Sequence, residues 1–179
     1  CGVTLLTTSF DNDDYIVQVR PDDDALTFRQ LLQWVAQIGC QWMRCDEYGR
    51  LCVQWFDVNK TSPQEIRTTY GFTPQHTDVV ITGIKVTEYS DSSEDKVGSY
   101  ISGTEGYVLG ISDNKLIRKG DGQTVASMIA EKCVGMQFRP FESQCPTNVA
   151  LEAGDAITIV DRNGKTYNTY LTTTTLSPG

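Results

Sequence analysis

The chain has 179 residues, a length that accommodates one large domain or two small ones. Hydrophobic residues make up 39% and charged residues 21%, enough apolar content for a packed core and too much for a disordered tail. The 15 Lys and Arg stand against 23 Asp and Glu, a net charge of −8, which argues against nucleic acid and anionic membrane surfaces as partners.

The acids cluster at Asp11-Asn12-Asp13-Asp14, Asp22-Asp23-Asp24 and Asp91-Ser92-Ser93-Glu94-Asp95. No apolar run approaches the roughly 20 residues that span a bilayer, and none reads as a signal peptide. The chain begins at Cys1. An acylated lipoprotein terminus would lead into a flexible polar tether, whereas Val3-Thr4-Leu5-Leu6 reads as structured chain. An internal fragment of a longer polypeptide is therefore the expectation. Of the six cysteines (Cys1, Cys40, Cys45, Cys52, Cys133 and Cys145) none forms a C-x-x-C pair, and His76 is the only imidazole, so no zinc site is expected. Most of them lie in apolar periodic segments, which predicts buried, reduced thiols and folding in a reducing cytosol.

In chain order, Tyr15 to Val19 is a candidate strand. Phe28, Leu31, Leu32, Val35 and Ile38 share one face at helical spacing, with Trp34 at its edge, and predict a helix over 28–38. Thr27 with Gln30 forms a capping box, and Gly39 supplies the stop. A hairpin over about 41–56 follows, its turn at Asp46-Glu47-Tyr48-Gly49-Arg50. Helix and hairpin predict a small α+β domain over 1–62. Residues 63–76, interrupted by Pro63 and Pro74, read as a connection.

Residues 77–179 are strand-rich. Val79 to Val86 alternates, with a phase slip at Gly83 that predicts a bulge. Tyr89 to Gly98 reads as an acidic loop, Gly106 to Ile111 as a strand, and about 124–134 as a second helix stopped by Gly135. Ala156 to Val160 and Tyr167 to Thr172 form a hairpin around the Asn163-Gly164 turn. The expected fold is α+β: a small helix–hairpin unit, then a β-barrel-like or sandwich domain crossed by one helix.

The chemical motifs are weak. A Ser or Cys nucleophile needs a base, and His76, in the Pro-flanked connection, is the only imidazole. Gly120-Asp121-Gly122 before a helix hints at a phosphate cradle, but a third glycine is missing and Asp121 would repel the anion, so a loop with a helix cap is preferred. Asp11, Asp13 and Asp22 fit a calcium loop poorly, with Ile16 where glycine is needed and Asp22 where glutamate is needed. Trp34, Trp42 and Trp55 are assigned mainly to core packing, Trp42 being the one expected to be partly exposed. No catalytic, cofactor-binding or metal-binding residue is nominated, and an enzyme is not expected.

The stretch Pro21-Asp22-Asp23-Asp24-Ala25-Leu26-Thr27-Phe28-Arg29-Gln30-Leu31-Leu32-Gln33-Trp34-Val35-Ala36-Gln37-Ile38-Gly39-Cys40 resembles the helix of prophage tail proteins of the baseplate hub, or minor structural, family. Asp46-Glu47-Tyr48-Gly49-Arg50-Leu51 and Trp55-Phe56 resemble the hairpin that follows in that family. Ile81-Thr82-Gly83-Ile84, Gly106-Tyr107-Val108-Leu109, Phe138-Arg139-Pro140-Phe141 and Leu151-Glu152-Ala153-Gly154-Asp155 resemble its later landmarks. The similarity covers nearly the whole chain, and its weight lies in the order of the motifs. It implies a structural role in a tail assembled in the bacterial cytoplasm, with barrel-like domains. The implied partners are other tail or baseplate proteins and further copies of the chain, as a trimer in the full-length form. It implies no catalytic residues and no cofactor. A cell-surface glycan-binding module or a tail-associated hydrolase accessory module is the alternative.

Overall fold

Thr27 is extended, and its Oγ1 accepts a hydrogen bond from the Gln30 N–H at 3.2 Å, so helix α1 (Phe28–Ile38) starts where the cap signal placed it. Gly39 ends the helix, its N–H bonded to the Val35 carbonyl. A Cβ at Gly39 would stand 2.9 Å from the Asp11 carbonyl oxygen, so the stop also permits close approach of another segment. In this computed structural model the described residues are 2–21, 25–56, 64–67, 70–144, 151–173 and 175. Cys1, Asp22 to Asp24, Pro63 and Cys145, and the expectations attached to them, lie outside these residues.

After α1 come β1 (Trp42–Cys45), β2 (Leu51–Gln54), β3 (Gln64–Arg67), β4 (Tyr70–Pro74), β5 (Val79–Tyr89), β6 (Lys96–Gly103) and β7 (Tyr107–Ile111). Then follow helix α2 (Gly122–Cys133), β8 (Gln137–Phe138), β9 (Phe141–Gln144), β10 (Ala156–Val160) and β11 (Thr166–Tyr170). The protein is mixed α+β, with its strands in several small sheets. Among the described residues no sheet closes into a barrel. Closure needs both edges of every strand paired, and β6 and β11 each end a sheet.

Two compact units alternate along the chain, Cys1–Trp55 with Ile81–Gly135 and Phe56–Val80 with Met136–Gly179. The sequence reading instead placed one break at 63–76 and put the second helix with the later strands. The long strand β5 accounts for the interleaving, since Val79 and Val80 pair with β8 while Gly83 to Tyr89 pair with β6.

In the first unit β1 and β2 form the expected hairpin, with Trp42 opposite Gln54 and Cys45 opposite Leu51. Asp46 builds its turn: Oδ1 accepts from the N–H groups of Tyr48 (3.0 Å) and Arg50 (2.8 Å), and Gly49 takes a φ of 76°. Tyr15 to Val19 is not a strand. Instead Leu5 bridges Leu51 in parallel, with Leu6 N–H on the Leu51 carbonyl and Leu51 N–H on that of Thr4. β5 lies between antiparallel β6 and parallel β7, and its register against β7 shifts between Ile81 and Gly83, where the bulge was expected. α2 packs on β6 and α1 on β1. The α1 stripe is rotated from expectation: Phe28 is 70% exposed and Trp34 only 3%. Phe28 opens the helix, with no earlier turn to shelter it, whereas the indole of Trp34 has more apolar surface to bury.

In the second unit antiparallel β10 and β11 are joined by β3, which runs parallel to β10, and β4 pairs with β9. Strands β3 and β4 thus occupy the segment expected to be a connection. Pro74 closes β4, a position where its missing N–H is tolerated. Ile157, Ile159 and Leu171 form the core, with Ile66, Phe72, Phe141 and Leu151 against it. Full burial of each isoleucine contributes about 2 kcal/mol.

Candidate functional site: a buried polar framework and a cationic cleft

Along β5, Ile84, Val86 and Glu88 share one face at the two-residue strand period, and all three are buried. Glu88 is 2% exposed, so its carboxylate needs strong partners. It finds them at the start of α2, where Oε1 accepts from the N–H groups of Gly120 and Gly122, each at 2.9 Å. The Gly122 N–H is one of the donors that a helix N-terminus leaves unmade, Gly120 lies just before the N-cap, and the helix dipole favours a negative charge there. The suspected phosphate cradle is therefore filled by a carboxylate of the chain itself. Asp121, the residue at the N-cap position, makes no side-chain cap bond.

Asn114 is 0% exposed. Its Nδ2 donates to the Trp34 carbonyl (2.8 Å) and to Gln37 Oε1 (3.2 Å), while Oδ1 accepts from the Leu116 N–H (3.1 Å). One side chain thus ties the 112–116 turn to α1. Arg118, also buried, donates through Nη1 to the Ser90 carbonyl (2.6 Å), and its Nη2 lies 3.8 Å from Glu94. The acidic loop from Ser90 to Asp95 is wrapped on that guanidinium. Tyr15 donates to Asp121 Oδ2 at 3.0 Å; burial and then this neighbouring carboxylate push its phenol well above the ordinary range.

In the second unit a cleft of about 440 Å³ is lined by Asp78, Gln137, Phe138, Arg139 and residues 165–168. Arg139 organises it. Its Nε donates to Asp78 Oδ1, and Nη1 donates to the carbonyls of Gln75 (2.9 Å) and His76 (3.1 Å). Gln137 Nε2 donates to the other Asp78 oxygen at 2.7 Å. The Arg139 guanidinium, helped by Gln137, holds the Asp78 carboxyl below the usual range. Arg139 and Lys165 both approach the Tyr167 ring, 5.5 and 5.0 Å from its centroid.

The residues singled out in the sequence are scattered. His76 is exposed and contributes its backbone carbonyl; no described residue hydrogen-bonds its imidazole. Asp11 pairs with Lys132, and Asp13 accepts from the Phe10 N–H, so the two described members of the suspected calcium loop have separate partners. Among the described residues no group of three His, Cys, Asp or Glu is placed to hold a metal ion. Trp42 is half-buried against Trp55, ring centroids 5.8 Å apart, and Lys132 lies over the Trp55 ring. The described cysteines, Cys40, Cys45, Cys52 and Cys133, are free thiols. A hydrogen bond with Cys133, and then burial, push the Cys40 thiol up and keep it protonated.

Sequence reasoning missed Glu88, Asn114 and Arg118. Glu88 carried a signal: an acid on the apolar phase of a strand, two residues after Val86 and four after Ile84. Asn114, inside Ser112-Asp113-Asn114-Lys115, reads as any polar turn. Among the described residues no helix is long and apolar enough to cross a membrane. No protein-family model, no curated protein and no solved structure matches the chain.

Proposed function

We propose that this chain is a structural component of a phage-type tail baseplate or hub, assembling with further copies of itself and with other tail proteins. The observation that carries the reading is the use made of the buried polar side chains. Glu88, Asn114 and Arg118 all bind backbone: the start of α2, the α1 carbonyl of Trp34 and the Ser90 loop. Such bonds fix loops and helix ends, which is what a part that must present a constant surface to neighbours requires. A second support is the order of the sequence motifs, which runs from the α1 segment to Leu151-Glu152-Ala153-Gly154-Asp155 as in the baseplate hub family. On this reading the chain belongs to the virion tail and assembles in the bacterial cytoplasm, in a trimer when full-length.

Antibodies raised against the chain test the proposal by electron microscopy of particles released from the host. Label concentrated at the tail tip is the expected result. Label absent from intact particles, with the antigen recovered only from cell envelopes, would overturn it in favour of a surface glycan-binding role.

A further inference from the structure

Two buried thiols meet at the helix ends of the first unit. Cys40 follows α1 and is 7% exposed, and Cys133 closes α2 and is fully buried. The Cys40 thiol donates to the Cys133 sulfur, and the Cys133 thiol donates to the Ile129 carbonyl at 3.2 Å. Neighbouring contacts draw the same segments together. The Asp11 carboxylate pairs with Lys132, while the Asp11 carbonyl oxygen lies 2.9 Å from where a Cβ on Gly39 would stand.

The backbone at Cys40 points the same way. Its N–H bonds to the Gln37 carbonyl and the Gln41 N–H to that of Ala36, the two bonds of a Schellman helix end. The residue at this position is left-handed, with φ 51° for Cys40, and glycine is the usual occupant because a Cβ is unfavourable there. The available glycine stands one position earlier, where Gly39 has an ordinary φ of −72°. Cys40 is thus held against α2 despite local strain, and strain of this kind gathers at functional positions.

We propose that Cys40 and Cys133 are a peroxide-responsive pair that closes reversibly into a disulfide, clamping the end of α1 to the end of α2. Cys133 reacts first, because the bond from Cys40 favours its thiolate. The thiolate attacks one oxygen of hydrogen peroxide, the O–O bond breaks, and a sulfenic acid forms as hydroxide leaves and takes up the Cys133 proton. The Cys40 sulfur then attacks the Cys133 sulfur, the S–O bond breaks, and the hydroxyl departs as water with the Cys40 proton. Two thiols and one peroxide give one disulfide and two waters. Burial excludes bulky oxidants, which leaves a molecule as small as hydrogen peroxide. The inference stands on the contact between the thiols and is independent of the tail role.

The test treats the whole reduced chain with hydrogen peroxide, blocks remaining thiols with iodoacetamide and maps unreduced peptides by mass spectrometry. A linked Cys40–Cys133 peptide is expected in the monomer, reversed by dithiothreitol, with the linked chain melting about 5 °C higher. Cys40→Ser should give no link and leave Cys133 as a sulfenic acid that dimedone traps, whereas Cys45→Ser should leave the link intact. The same treatment in urea should scatter the pairing over other cysteines, which separates the native contact from random encounter. Cys40 and Cys133 both alkylated after Cys45 has oxidised, a different pairing in the native chain, or an equal yield of the link in urea would each overturn the proposal.

Discussion

The Glu88 carboxylate rests on the backbone N–H of Gly122 at 2.9 Å, although the two residues are 34 positions apart. The first turn of α2 is therefore held by a carboxylate delivered from near the end of strand β5. Glu88→Ala would strip the acceptor from the Gly120 and Gly122 N–H groups and leave that of Gly122 buried, an expected loss of about 1–3 kcal/mol. Glu88→Gln keeps an acceptor oxygen and loses the charge, so it should cost less. Urea unfolding at neutral pH followed by circular dichroism measures both. An alanine variant as stable as the parent would show that the contact does not hold the helix.

The same contact reverses a rule at Gly122. Glycine in a helix is usually no better than alanine, and in a helix interior it is worse by about 1 kcal/mol; Gly122 is the first helical residue. Here an added Cβ would stand 2.6 Å from Glu88 Cγ and 2.7 Å from Tyr100 Cδ2, both within packed surroundings. Gly122→Ala is expected to destabilise by about 1–3 kcal/mol, the range for overpacking. Combined with Glu88→Ala, which removes Cγ and the carboxylate, its cost should shrink, so a double-mutant cycle gives a non-additive result. Strict additivity would mean that the two sites do not meet.

What was legible in the sequence is what is local. α1, the turn at Asp46 and the bulge near Gly83 each have their cause within a few residues: Thr27 with Gln30, Asp46 with Tyr48 and Arg50, and a slipped alternation. The parallel pairings of β5 with β7 and of β10 with β3 have no such cause, because partners distant in sequence leave no mark on either strand. For the same reason β3 read as linker, since its pairing depends on β10 some ninety residues later. The framework residues divide likewise. Glu88 announced itself by breaking an apolar phase, whereas Asn114 acquires its role only when the α1 carbonyl of Trp34 arrives.

Asn114 offers the sharpest test of that framework. Both ends of its amide are engaged in full burial, so Asn114→Ala leaves the Trp34 carbonyl and the Leu116 N–H without their partner. The expected loss is about 2–4 kcal/mol. Asn114→Asp is nearly the same shape but turns a carboxylate towards the Trp34 carbonyl and Gln37 Oε1, so at neutral pH it should be at least as damaging as alanine. Thermal unfolding of the two variants decides it. An aspartate variant close to the parent would mean that Nδ2 is not the atom facing the helix.

The phenol of Tyr15 sets an alkaline limit. Burial and the Asp121 carboxylate raise its pKa in the folded chain, whereas the unfolded chain titrates at about 10. The neutral phenol therefore stabilises the fold fully below about pH 10, and that contribution is lost as pH rises above it, because the unfolded state alone can then release the proton. Tyr15→Phe removes the group that titrates, along with its 3.0 Å bond to Asp121. At neutral pH this variant should be the less stable by about 1 kcal/mol. As pH climbs past about 10 its deficit should narrow, since every other titrating group is common to both proteins. Denaturant midpoints of parent and variant across that range provide the measurement. Curves that stay parallel would show that Tyr15 ionises as freely in the fold as out of it.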